Sequence, residues 1–391
     1  MTDFTAIVSG AGPAGLAAAI LLAQDGVKTA VVSPSPNMDD PRTTALMDPA
    51  IKLLRFIKVW NENLAPLCAP LRELHLVDDM GAYIKAPTLA FKSQELELEA
   101  FGYNVPQALL IPALYNRARE AGVHFITEKA VDSQTSATTI SVTTESGQTL
   151  TAQVLLIADG ANSTLRQKLG FAVEIKTLNQ SAMVTMFDHT GPHQNISTEF
   201  HKPGGPFTTV PMLGNRSSLV WMAEPSKIAA MMALDDKALA TEIQLETHAS
   251  LGLISNLGAR GSFAMKTQSA QPLAQNRALL IGEAAHQLTP IGAQGLNLSL
   301  RDAAVAADLI IGAADPGSPE ICAEYDKQRR AEVTGRLAAT GFLNSSLMSA
   351  FQGMHLARAA GKAAIAIVPT LRREALSKGL YPPGPLPFAM R

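Results

Sequence analysis

Apolar and polar positions divide the chain into short runs that read as alternating strands and helices. Ala6-Ile7-Val8 predicts a short buried strand, glycines follow at once, and Pro13 to about Gln24 predicts a helix. Thr29 to Val32 predicts a second strand, so the chain opens as a strand–helix–strand unit, the entry to a doubly wound sheet. Asp48-Pro49 marks another helix start, with an N-cap acid and proline at the first helical position, and that helix is expected to reach Trp60. From Leu71 to about Phe91 the residues alternate, with turn residues near Met80-Gly81, which predicts strands. Gln94 to Glu99 alternates Glu with Leu and reads as an edge strand or a surface loop with solvated acids. Gln107 to Ala121 is helical, and Val123 to Ile126, Thr139 to Thr143 and Gln153 to Ile157 are expected to return strands to the first domain.

Between about Lys176 and Met265 the texture changes to strands broken by Gly and Pro, with a polar helix around Asp236 to His248. After Arg277 the strand–glycine–helix pattern resumes, and Glu320 onward is mostly helical up to a proline-rich tail at Pro382 to Pro387. The predicted organisation is a discontinuous nucleotide-binding domain over 1–70, 100–175 and 266–335. A substrate domain of 71–99 and 176–265 is inserted into it, and 336–391 forms a C-terminal helical segment. No internal repeat is visible.

Composition narrows the function classes. Hydrophobic residues are 47% and charged residues 17% of 391, which describes an apolar-rich folded protein rather than a disordered one. The 34 acids balance 32 bases, and without a basic run there is no electrostatic footprint for nucleic acid. Cys68 and Cys322 have no CxxC partners, which argues against a disulfide framework or zinc site and fits a reducing cytoplasm. The apolar stretch Ala11 to Ala23 is short for a membrane span and lacks the basic start of a signal peptide. A soluble or peripheral protein is expected.

Three glycine-containing segments carry chemistry. Gly10-Ala11-Gly12-Pro13-Ala14-Gly15 is a GxGxxG between strand and helix. Its glycines permit the tight turn, the approach of a pyrophosphate and close helix–strand packing, while the helix N-terminus offers free N–H groups. The motif alone does not separate NAD from FAD. Ser33 stands where an acid normally ends the second strand and bonds the ribose, so a weaker neutral contact is expected there. The second segment, Ala158 to Arg166, follows the apolar strand Val154 to Ile157. Asp159-Gly160 sits where such sheets bind ligands, and a simple helix cap by Asp159 or Asn162 is an equal reading.

The third segment runs from Leu280 through Gly282, Glu283 and His286 to Pro290-Ile291-Gly292-Ala293-Gln294-Gly295-Leu296-Asn297. A carboxylate after a strand-ending glycine can accept hydrogen bonds from a polyol chain, and the helix expected near Leu296 could stabilise an anion. His286 reads as a satisfied, half-buried histidine rather than a metal ligand. His189 and His193 are four apart, but Gly191-Pro192 breaks any helix between them, so they are not expected to bind metal.

These three segments, in this order, resemble the signature of the class A flavoprotein monooxygenases. Within that class the chain is most similar to the ubiquinone-biosynthesis hydroxylases of polyprenylated phenols. Arg42-Thr43-Thr44-Ala45-Leu46, the stretch from His201 to Trp221 with Gly205-Pro206-Phe207, and the helix from Tyr325 to Glu332 resemble further motifs of that family. The resemblance implies a p-hydroxybenzoate-hydroxylase-like α/β fold with a Rossmann-type FAD-binding domain and an inserted mixed-sheet substrate domain. It also implies FAD as cofactor, NADPH or NADH as transient reductant, and transfer of oxygen through a flavin hydroperoxide to a lipophilic phenol.

By the same resemblance Gly10, Gly12, Ala14 and Gly15 would cradle the FAD pyrophosphate, with Ser33 at the ribose. Arg42 would lie along the FAD, Asp159 and Gly160 near the pyrophosphate, and Gly282 with Glu283 at the ribityl chain. Pro290, Gly292, Ala293, Gln294, Gly295, Leu296 and Asn297 would line the flavin ring. The family usually has Asp where Glu283 stands. Tyr83, Gln107, His201 and Phe207 are pocket candidates by position only, and no catalytic acid or base is identified.

A hydroxylase of a small soluble aromatic acid, an isoprenoid double-bond reductase on the same fold and a non-catalytic flavin-binding scaffold are the alternatives. A membrane-dissolved substrate would bring the enzyme to the inner membrane surface or to a biosynthetic complex. Leu343, Leu347, Phe351 and Met354 form a stripe at helical spacing, with Arg358 and Lys362 following. Packing of the stripe on the FAD domain is the expected role, and a membrane-surface or partner helix is the alternative.

Overall fold

The computed structural model describes residues 2–81, 86–348, 352–381 and 384–391. Strands Ala6–Ser9, Thr29–Val32 and Val154–Ile157 are buried at every position, because helices cover both faces of the sheet they form. That sheet has six strands in the order 274–275, 278–280, 154–157, 6–9, 29–32, 124–126, parallel except at the 274–275 edge. The helix Pro13–Gln24 crosses from the first strand to the second and packs against helices Gln107–Glu120 and Gln294–Ile310.

Strand Ile140–Thr144 does not join this sheet. It pairs with Ala130–Thr135 and Thr149–Ala152 in a separate antiparallel sheet. Its buried Ile140, Val142 and Thr144 alternate with half-exposed Ser141 and Thr143, the period-two pattern of a strand covered on one face.

The second large sheet runs in the order 286–287, 261–271, 172–189, 216–223, 205–212, 196–202, 73–78, 89–92, with 254–255 beside the 172–189 strand. All neighbours are antiparallel except Glu73–Asp78, which lies parallel to Ile196–Lys202. Strands Ala172–His189 and Gly261–Gln271 extend beyond 176–265 and lead directly to the first sheet, so the two layers share continuous backbone. A third antiparallel sheet, of Thr43–Met47, Gly102–Pro106 and Ala69–Leu71, sits between them.

Several local expectations are corrected. The helix from Asp48 ends at Phe56 rather than Trp60, because Lys58 takes a left-handed conformation with φ 62° and turns the chain. Asp48 is the first helical residue and pairs with Lys52 one turn on, instead of capping. The segment 94–99 is a 3-10 turn and loop, and Glu95 is not free in solvent but ion-paired with Arg372 at 2.6 Å. Besides the polar helix Asp236–Glu246, a second helix, Pro225–Ala233, covers the same sheet face. The helix after the glycine loop starts at Gln294, two residues before Leu296.

The C-terminal part forms helices Pro319–Met348, Gln352–Ile367 and Pro369–Leu380. Leu347 is buried, and Leu343 packs on Ala182, Met222 and Met265 of the large sheet together with Ile291. The first half of the apolar stripe is therefore core, although Leu343 packs on the large antiparallel sheet rather than on the six-stranded one. Phe351 and the side chain of Met354 lie outside the described residues.

Candidate active site

The first strand ends at Gly10, whose φ of 114° only glycine adopts without strain. A Cβ there would sit 2.3 Å from the Ala158 carbonyl, and one on Gly15 would sit 2.2 Å from the Gly10 carbonyl. These two glycines are required by protein packing itself. Gly12 differs: nothing lies within 4 Å of the position a Cβ would take. It is the N-cap of Pro13–Gln24, with no side-chain cap and no acid in the first turn. The free N–H groups and the positive end of the helix dipole therefore face open space, which fits a pyrophosphate.

The strand Val154–Ile157 brings the second segment alongside, with the Ala158 amide donating to the Ser9 carbonyl at 2.7 Å. The cap of the next short helix is Ser163, whose Oγ accepts from the Arg166 amide at 3.1 Å. Neither Asp159 nor Asn162 caps it; Asn162 is exposed. Asp159 is left with a buried Oδ1 that has no hydrogen-bond partner among the described residues. Burial raises its pKa, outweighing bonds from Ser163 and the local backbone. A hydroxyl or amide donor from a ligand is what this oxygen lacks, so the site fits a group that carries hydroxyls, such as a ribose. Gly160 follows with φ 88°. Buried Arg166 donates to the Ala161 and Ala284 carbonyls at 2.9 Å each, tying this segment to the third. Ser33 lies half-buried at the end of the second strand and donates to the Pro34 carbonyl at 2.9 Å.

Beneath the third segment lies a buried charge network. The Gly282 amide donates to Asp302 Oδ2 at 2.9 Å, and His286 Nε2 meets the same oxygen at 2.6 Å. Arg329 Nε donates to Asp302 Oδ1 at 2.7 Å, and Arg329 and Arg301 both pair with Glu332. Tyr325 donates its hydroxyl to the Leu280 carbonyl at 2.7 Å. Burial alone would raise the Asp302 pKa, but the His286 and Arg329 charges overcome this and hold it below the ordinary carboxylate value. His286 is thus fully buried rather than half-buried.

Above this network the Glu283 side chain is exposed. Arg42 is bonded mainly to Asp40, at 2.6 Å, and its pKa is raised first by Asp40 and then by Glu283. Glu283 and Arg42 therefore share one rim. In the following loop Ala293, with φ 54°, opens helix Gln294–Ile310 without a side-chain cap. Asn297 spends its whole side-chain amide on protein backbone. It accepts from the Met47 amide at 2.8 Å and donates to the Ala45 and Ala293 carbonyls at 2.9 and 2.7 Å. It clamps the loop rather than presenting a free amide. Gln294 likewise donates to the Gly292 carbonyl at 2.8 Å, and Leu296 packs against the core. Pro290 is half-buried, and Gly295 has nothing within 4 Å of its Cβ position.

The large sheet forms the opposite wall, and strand register shows which side chains face the loop. Ile291 belongs to one buried cluster with Ala182 and Met222, while Ala293 packs against a second, which contains Leu89 and Phe91 and which Leu74 and Leu76 also flank. The ladder pairs Leu76 with Glu199, Glu199 with Thr208, and Thr208 with Val220, two residues before Met222. Paired residues share a face, so Glu199 and His201 lie on the loop side. Phe207 lies on the other side, edge-on to Trp221 at 5.0 Å under helices Pro225–Ala233 and Asp236–Glu246, and is a core residue. Gln107 is buried and donates to the Thr44 hydroxyl at 2.8 Å, near Arg42. Tyr83 lies outside the described residues. His189 and His193 direct their ring nitrogens at the Gly191, Met212 and Gly214 carbonyls and the Ser217 hydroxyl.

Sequence reasoning missed Asp302, Arg301 and Glu199, and named Glu332 only as the end of a family-like helix and Lys362 only as a basic residue after the apolar stripe. Arg301-Asp302 was a legible signal, a charged pair inside an otherwise apolar helix. Glu199 gave none.

The profile of a family described as "FAD binding domain" matches residues 3–340. Ubiquinone hydroxylase UbiL of Rhodospirillum rubrum is 29% identical over 94% of this chain and 87% of its own length. The 3-demethoxyubiquinol 3-hydroxylase of Escherichia coli K12 is 28% identical over 88% of each. Among solved structures, p-nitrophenol 4-monooxygenase PnpA of Pseudomonas putida superposes with a TM-score of 0.80 at 19% identity, covering 98% of this chain and 99% of that one. That likeness shows the fold.

Proposed function

The chain belongs to the FAD-binding family, and from that premise we propose that it hydroxylates the aromatic ring of a polyprenylated phenol in ubiquinone biosynthesis. The observation that carries the cofactor assignment is the open, uncapped helix start at Gly12 beside the unpartnered Asp159 oxygen. The substrate assignment rests on relatives named for ubiquinone hydroxylation that align along nearly the whole chain.

Gly10, Gly12, Ala14 and Gly15 would hold the pyrophosphate, Ser33 the ribose, and Asp159, Gly160, Gly282 and Glu283 the polyol and phosphate side. Arg42 would lie along the cofactor, and the loop Pro290 to Asn297 would line the flavin ring. When bound, FAD supplies electrons taken from NADPH or NADH and the activation of molecular oxygen for transfer to an electron-rich ring. The helix start at Gln294 contributes a positive dipole end that favours negative charge at the ring edge. Leu76, Thr208, Val210 and Val220 form a partly exposed, mainly apolar strip facing the loop, suited to a ring held away from water.

Among the described residues, no helix is long and apolar enough to cross a membrane. Ile367, Val368 and Leu371 are exposed at the corner of the last two helices, with exposed Arg373 close by, which supports peripheral contact with an anionic bilayer. Liposome flotation with and without anionic lipid tests this; no lipid-bound fraction in either sinks it.

The test of the function has two arms. Purified protein is expected to carry or take up FAD and to oxidise NADPH with stoichiometric oxygen use when given a 2-alkylphenol. A strain lacking the gene is expected to accumulate a quinone precursor short of one ring hydroxyl. Protein that stays colourless with added FAD, or a strain with unchanged quinone intermediates, overturns the reading.

A further inference from the structure

The loop-facing side of the large sheet carries a polar group that cofactor binding does not use. Glu199 and His201 are two residues apart on strand Ile196–Lys202, so both point to the same face, and Glu199 Oε1 meets His201 Nε2 at 2.8 Å. His201 is only 3% exposed, and its Nδ1 is buried without a hydrogen-bond partner among the described residues. The carboxylate sets the tautomer. With the Nε2 proton held by Glu199, Nδ1 is a bare acceptor that lacks a donor.

The helix Gln352–Ile367 brings the complementary group. Lys362 Nζ is likewise buried without a partner among the described residues, a donor that lacks an acceptor. Burial lowers its pKa, and the negative charges of Asp78 and Glu199 oppose that shift. The helix contacts strand Leu89–Lys92, and its Ile365 packs against the cluster of Leu89 and Phe91, which lie on the same face as Leu76 and Glu199, so the ammonium lies on the loop side of the sheet. A buried lone acceptor and a buried lone donor each cost desolvation free energy, and one ligand hydroxyl could satisfy both.

We propose that His201, oriented by Glu199, takes the hydroxyl proton of a phenolic substrate and that Lys362 stabilises the phenolate left behind. The proposal rests on the hydroxylase reading. The O–H bond breaks, its electron pair stays on the phenolate oxygen, and the proton passes to Nδ1 to give an imidazolium paired with the Glu199 carboxylate. The phenolate pushes electron density into the ring, which makes the ring carbon that accepts oxygen more nucleophilic. The proton returns to oxygen when the product ring regains its hydroxyl. Asp78 of the neighbouring strand and Arg358 of the same helix as Lys362 are the other charged groups beside this cluster. The ion pairs of Lys202 with Asp79 and Glu246, and the contact of His248 with Asp79, belong to the opposite face.

The probe is 2-allyl-4-nitrophenol, whose phenolate absorbs in the visible. It is titrated from acid to alkaline pH when bound to oxidised, FAD-loaded enzyme without NADPH, against the flavin spectrum alone. In the wild type the bound probe is expected to ionise at least one pH unit below its value in free solution. In His201→Gln and in Lys362→Met ionisation moves back toward the free value, and Glu199→Gln moves it part of the way. Turnover of 2-allylphenol falls about 100-fold in His201→Gln and recovers as pH rises toward ionisation of the free phenol, the expected size of a lost general base. A residue with a structural role alone shows no such recovery.

Equal ionisation in the wild type and in variants that retain FAD overturns the assignment. If wild type, His201→Gln and Glu199→Gln all bind the probe as neutral phenol, it is overturned as well. Low-pH ionisation in wild type without NADPH-dependent oxygen use overturns the hydroxylase reading and leaves the proton acceptor standing.

Discussion

Asp302 accepts the Gly282 amide at 2.9 Å from a fully buried position beneath the third glycine-containing segment. The same carboxylate holds His286 and Arg329, so one buried side chain sets the backbone from which Glu283 projects and anchors the long C-terminal helix.

Removing that carboxylate leaves the Gly282 amide and His286 Nε2 without their acceptor in the interior and takes from Arg329 one of its two carboxylates, Glu332 remaining. Asp302→Ala is therefore expected to destabilise the protein by about 3–5 kcal/mol, the cost of breaking a buried ion pair on one side. Urea denaturation of the apoprotein measures this, and fluorescence titration should show FAD affinity reduced at least tenfold. A loss under about 1 kcal/mol would mean the pair carries no net stability.

The pH dependence has a definite sign. The folded-state pKa of Asp302 is held below its ordinary value because the His286 and Arg329 charges overcome the burial that would raise it. The stability it contributes is present above the ordinary carboxylate range and is lost as pH falls through the folded-state pKa. Asp302→Asn should consequently flatten the acid limb of the stability curve below about pH 4, the ordinary aspartate range, relative to wild type. Parallel acid limbs would show that other groups govern acid unfolding.

Gly12 and Gly15 belong to one motif but should fail differently. A Cβ on Gly15 meets the Gly10 carbonyl at 2.2 Å, so Gly15→Ala is expected to cost about 1–3 kcal/mol or more in the apoprotein through overpacking. A Cβ on Gly12 meets nothing within 4 Å. Gly12→Val should keep apoprotein stability within about 1 kcal/mol while cutting FAD affinity at least tenfold. Thermal melts with and without FAD separate the two effects, and equal destabilisation of both apoproteins would contradict this division.

The Ser33 hydroxyl donates to the neighbouring Pro34 carbonyl at 2.9 Å. Replacing it with an acid at the end of the second strand should offer a charged acceptor to a ribose hydroxyl, roughly twice as strong as a neutral one. Ser33→Glu is expected to tighten FAD binding by about five- to tenfold, or about 1–1.4 kcal/mol. Unchanged or weaker affinity would place the ribose away from this strand end.

Much of the backbone of the candidate site was legible in the sequence, because glycine positions and apolar runs are local signals. Ala6-Ile7-Val8 followed by Gly10, Gly12 and Gly15 can hardly form anything but a buried strand, a tight turn and a close-packed helix start. The strand before Asp159 and the glycine loop after Pro290 were readable on the same grounds. The resemblance of those segments to flavoprotein hydroxylases supplied the chemistry that the periodicity could not.

Tertiary structure alone decided the rest, since it depends on which face of a strand meets which neighbour. Phe207 and His201 look alike as pocket candidates in the sequence. Strand register sends Phe207 under two covering helices and His201 toward the loop, where Glu199 fixes one of its nitrogens. Ser163, not Asp159 or Asn162, proved to be the helix cap, because an N-cap needs an oxygen aimed at one amide three residues on. Asp302 and Lys362 meet their neighbours only after more than a dozen residues of chain fold back. A linear sequence records which residues are polar, but whether a buried polar atom finds a partner is settled only when the whole chain has packed.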